Sequence, residues 1–99
     1  MKRYIIELLG NNILLNIDGD HKKVGFQASR LVKADNEKTA EKIALIKIYQ
    51  ELNNNPALVK ESPERPWVSV KQVEKLGILQ FVGRKEVEGF DFFVENEAG

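Results

Sequence analysis

Apolar and polar residues alternate along 24–34, and no other stretch limits the fold as much. In an extended chain Val24, Phe26, Ala28, Arg30, Val32 and Ala34 fall on one side, and Gly25, Gln27, Ser29, Leu31 and Lys33 on the other. The first side is apolar apart from Arg30, and the second is largely polar. A strand of a parallel sheet would be apolar on both sides, so this one-sided pattern predicts an antiparallel sheet covered on a single face. Arg30 is the exception that has to be explained. A guanidinium on an apolar face must pair, reach the edge, or line a pocket, because an unpaired buried charge is very costly. Glu7, Glu41 and Glu74 are the carboxylates expected to pair with it.

The strand leads directly into a helix. Asp35 and Asn36 can cap its first turn, and Glu37 suits the positive end of the dipole. The helix is expected over about 36–52, ending where Asn53, Asn54, Asn55 and Pro56 cannot continue it. At 100° per residue Leu45, Ile48, Tyr49 and Leu52 form an apolar stripe bordered by Ala40 and Ala44. Ile43 and Ile46 lie off that stripe. They leave an apolar flank for the 56–66 crossing or for a second subunit to cover.

The remaining segments are shorter. Residues 3–9 read as a strand, with Gly10, Asn11 and Asn12 as a turn and 13–17 as either a short strand or one helical turn. Residues 18–23 read as an exposed loop with an Asp-Gly hairpin signal at Asp18 and Gly19. The three prolines predict an irregular crossing over 56–66. Residues 67–76 allow two readings. Val68 and Val70 alternate as in a strand if a bulge absorbs Val73, whereas Ser69, Gln72 and Gly77 also fit a short capped helix; the strand is preferred. Residues 78–82 are apolar and expected to pack, and 83–89 read as a charged hairpin-like excursion. Phe90, Phe92 and Val94 form a last strand with Phe93 on its other face, followed by a frayed tail over 95–99.

These elements predict one α+β domain over 1–99: a mostly antiparallel sheet of about four strands with one main helix on one face. A ferredoxin-like sandwich and a plain β-β-α-β-β variant are both compatible. The run Gly25, Phe26, Ser29, Arg30, Val32 and Ala34, the following helix with Ala40 and Ala44, and Gly89, Phe90 and Phe92 resemble a family of small bacterial α+β proteins. The resemblance covers about 24–50 and 89–93. It implies the fold and no substrate, cofactor or catalytic residue.

Composition narrows the function. Fifteen basic residues balance fifteen acidic ones, which gives no electrostatic footprint for nucleic acid or an anionic membrane. No apolar run approaches the ~20 residues of a membrane-spanning helix. Lys2 and Arg3 begin like a signal peptide, but Glu7 interrupts the apolar stretch, so a mature strand and a cytoplasmic protein are expected. The absence of Cys removes disulfides, thiolate nucleophiles and Cys-zinc sites. The single His, His21, sits with Asp18 and Asp20 in a loop that reads as a solvated turn rather than a metal site. None of Ser29, Ser62 and Ser69 lies in a nucleophile context. Glu61, Glu64, Glu86 and Glu88 lie in charged loops, not in the apolar pocket that general acid–base work requires. The glycines lack the spacing of a phosphate loop. The expectation is therefore a non-catalytic interaction or regulatory module without cofactor or metal, self-associating or binding a protein partner through Ile43, Ile46 and Trp67. Trp67 also reads as a residue closing over the core. The alternative is a small-molecule or anion binder built on Arg30.

Overall fold

The computed structural model describes residues 1–60, 65–77 and 89–94. The apolar run at 78–82, the charged excursion at 83–88, the tail at 95–99 and residues 61–64, including Ser62, lie outside the described residues. Two long strands, β1 (Lys2–Ile17) and β2 (Asp20–Ala34), are followed by α1 (Glu37–Asn53), β3 (Trp67–Leu76) and β4 (Asp91–Val94). The sheet has four antiparallel strands in the order β3-β1-β2-β4, with the helix on one face. A ferredoxin-like sandwich needs two helices, and the described residues contain one.

β1 and β2 are joined by a two-residue turn. Asp18 and Gly19 have φ of +53° and +89°, the sign pattern of a type I′ turn, and Asn16 Oδ1 accepts a hydrogen bond from Gly19 N at 3.0 Å. Residues 20–23, expected in a loop, continue the strand: Asp20 pairs with Ile17 and His21 with Asn16.

The expected turn at 10–12 is a β-bulge. Gly10 pairs with Phe26 and Ile13 with Val24, so Asn11 and Asn12 together face Gly25, with Asn12 at φ +58°. One extra residue moves every later side chain to the opposite face. The buried positions accordingly run Tyr4, Ile6 and Leu8 before the bulge and Ile13 and Leu15 after it. This makes 3–9 and 13–17 a single strand.

β3 uses the same device. Val73 pairs with Ile6 and Gln72 with Glu7, but Leu8 pairs with Val70, which leaves Lys71 as the extra residue. The bulge brings Val68, Val70 and Val73 onto one face, so the strand reading of 67–76 holds. Beyond β3, the same edge of β1 is taken up by the chain leaving the helix. Asn16 N donates to Ala57 O at 2.8 Å and Val59 N to Leu14 O at 2.9 Å.

The helix begins at Asn36, whose Oδ1 accepts from Thr39 N at 2.9 Å. It rests on Ala40, Ala44, Ile48 and Leu52, all buried. The alanines, expected at the border of the stripe, lie at its centre and let the helix approach the sheet closely, while Tyr49 moves to the exposed side. The core under the helix holds Tyr4, Ile6, Leu8, Phe26 and Val32, with every apolar inward residue expected of 24–34 buried. Gly10 makes room for Phe26: a Cβ there would clash with the edge of the Phe26 ring.

Candidate functional site

Arg30 pairs with Ile6 in the middle of the ladder, on the helix-covered face, and is 4% exposed. Its Nε donates to Glu51 Oε2 and its Nη2 to Glu51 Oε1, both at 2.9 Å, while Nη1 donates to Ser29 O at 2.7 Å. This is a bidentate, charge-assisted clamp between β2 and α1. The Arg30 Cζ also lies 5.2 Å from the centroid of the Phe90 ring, a cation–π contact that ties in the start of β4. Among the described residues no buried side-chain polar atom lacks a partner.

The partner is Glu51 and none of the three carboxylates expected. Glu7 and Glu74 are excluded by parity, since they pair with Ser29 and Ile5 on the opposite face of the sheet. Glu41 is excluded by distance along the helix. Arg30 lies four residues, ~13 Å, before the end of β2, and a helix rising ~1.5 Å per residue covers that distance in about nine residues. Its second half therefore passes over Arg30. The sequence carried a usable signal, because at 100° per residue Glu51 falls roughly 20° from Ala40, a carboxylate on the buried face.

The other candidates are placed away from Arg30. Ile46 is 58% exposed on the helix. Ile43 is half-buried and packs against the core. Trp67, at the start of edge strand β3, is 55% exposed and does not close over the core. Helix and strand meet there, because the Tyr49 hydroxyl accepts a hydrogen bond from Val68 N at 3.2 Å. Ile46 and Tyr49 are one helical turn apart, and Val68 adjoins Trp67. The outer helix flank and the β3 edge thus form one side of the molecule, with three large apolar side chains in water.

A cleft of about 400 Å³ opens beside β2, lined among others by Glu7, Gln27, Ser29, Phe90 and Asp91. His21 lies away from this cleft, exposed at the hairpin tip, at the far end of β2 from Arg30. Among the described residues, no three His, Asp or Glu side chains gather as metal ligands, and no helix is long and apolar enough to cross a membrane. The only buried charge among the described residues is Arg30, and its hydrogen-bonding capacity faces Glu51 and Ser29. The Arg30–Glu51 clamp holds α1 against β2. Set against family models, curated proteins and solved structures, the chain matches none.

Proposed function

We propose that the chain is a small non-catalytic interaction module that works as a homodimer through the side formed by α1 and the start of β3. One observation carries this reading. The Tyr49–Val68 hydrogen bond fixes Ile46, Tyr49 and Trp67 along one side, while all three stay substantially exposed. Tryptophan and tyrosine are the residues most enriched where binding energy concentrates, and isolated soluble domains rarely leave large apolar patches open. A near-zero net charge removes long-range repulsion between copies.

The test is the mass in solution. Light scattering is expected to give twice the 11.3 kDa chain mass at high concentration, with I46D and W67A shifting the protein to monomer while its circular dichroism is retained. A mass of 11.3 kDa at every concentration sinks the homodimer. The alternative of an anion held by Arg30 requires the anion to displace Glu51 from both guanidinium nitrogens. Anion binding to the wild type that strengthens in E51Q and is lost in R30M would support it.

A further inference from the structure

β4 is held to the sheet differently from the other strands. It pairs with β2 over four residues only, Val24 with Val94 through Gln27 with Asp91, and side chains carry much of the fit. The ring of Phe93 lies on the bare backbone of Gly25, where a Cβ would fall 2.6 Å from the ring and 2.9 Å from Gly10 O. On the opposite face Phe92 pairs with Phe26, the two rings meeting edge-on at 6.1 Å. Phe90 stacks on Phe92 at 5.2 Å, meets Phe26 edge-on at 4.9 Å and covers the Arg30 guanidinium. The edge of β2 is therefore a shaped seat: a gap at Gly25, an aromatic rim at Phe26 and a fixed cation at Arg30. It fits an extended segment with aromatic residues at its first, third and fourth positions. Residues 90–93 are such a segment.

Two features make that segment separable. Gly89, just before it, is exposed at φ +87°, a backbone state that glycine adopts freely. Phe93 stays 50% exposed even when seated. A second copy of the chain brings an identical segment to an identical seat, so docking within one chain and between two chains makes the same contacts. The balance between them is set by effective concentration. We propose that β4 exchanges between two copies of this chain, which makes the β2 edge an interaction surface whose partner is residues 89–94 of the second copy. This is separate from the α1–β3 side proposed above and does not depend on it.

The chain has no cysteine, so single thiols report the exchange cleanly. Gln27 and Asp91 are exposed and are Cα partners across β2 and β4. Full-length Q27C and D91C are mixed at high concentration and oxidised mildly. The mixed Q27C–D91C disulfide is expected to exceed either homodisulfide by about tenfold, through the effective-concentration gain of a docked strand. F93A in the D91C chain is expected to remove that excess, and I46D to leave it intact. The doubly substituted Q27C/D91C protein, oxidised when dilute, is expected to close within one chain, which shows that the substitutions leave β4 seated. A mixed disulfide no more abundant than the homodisulfides, with the double variant closing within one chain at every concentration, overturns the exchange. A dimer in light scattering without the mixed disulfide also overturns it, and leaves the α1–β3 interface standing.

Discussion

Phe26 lies over Gly10, its cross-strand partner, and the ring occupies the space a side chain at Gly10 would need. The bulge that follows Gly10 and the aromatic core are thus built around one missing Cβ. G10A is expected to cost about 2–3 kcal/mol, the upper range for overpacking, because Phe26 is fully buried and has no free direction to move. Urea denaturation measures it. In an F26L background the same substitution should cost less by about 1 kcal/mol, since the pair shares one space; strictly additive losses would contradict the account.

The Arg30–Glu51 pair is asymmetric. Arg30 is 4% exposed and Glu51 39%, so losing either partner leaves a different residue behind. E51A strands a buried guanidinium and is expected to cost about 2 kcal/mol, below the ~3–5 of a fully buried pair because Glu51 meets water. R30M leaves a carboxylate that can hydrate and should cost less. Equal losses in denaturant melts would show that a stranded guanidinium costs no more here than a stranded carboxylate.

Tyr49 joins helix to edge strand by one hydrogen bond to a backbone amide. Y49F keeps the ring and removes the acceptor. A loss of about 1 kcal/mol is expected, with faster hydrogen exchange at the Val68 amide than at Val70. Unchanged exchange at Val68 would mean that the bond is not formed in solution.

Gly19 holds φ +89° at the hairpin tip, and a Cβ there would meet nothing. G19A is therefore a purely conformational test. It should cost about 1 kcal/mol through the backbone while leaving self-association unchanged in light scattering. A larger loss would mean that the tip makes contacts beyond its turn.

The fold was legible wherever a local rule acts alone. The period of 24–34, the cap at Asn36 and the turn at Asp18–Gly19 each depend on neighbours within a few residues, and all three are found. What failed depends on residues far apart. Gly10, Asn11 and Asn12 look like a turn in the sequence; only pairing to an unbroken β2 makes them a bulge. The apolar stripe of α1 was placed on the larger side chains, yet close packing on a flat sheet favours the alanines, and that rotation is what aims Glu51 at Arg30. The Arg30 anomaly itself was plain from alternation. Its partner required knowing how quickly a helix and a strand advance past each other. Ile46 and Trp67 were recognisable as apolar residues, but their exposure depends on how the helix and β3 pack, which no local pattern states.

The strand order has a consequence for how the protein is made. β1 and β2 precede β3 and β4 in the chain and are the two central strands, and β3 and β4 add later to opposite sides. A nascent chain emerging from the ribosome can close its hairpin and lay the helix across it before the flanking strands exist. For that interval both margins of the hairpin carry open backbone groups, which is the form in which a β-sheet most readily captures another chain. The sheet is safest once β3 and β4 flank the hairpin, so chains cut before β3 should yield insoluble fragments rather than a smaller working domain.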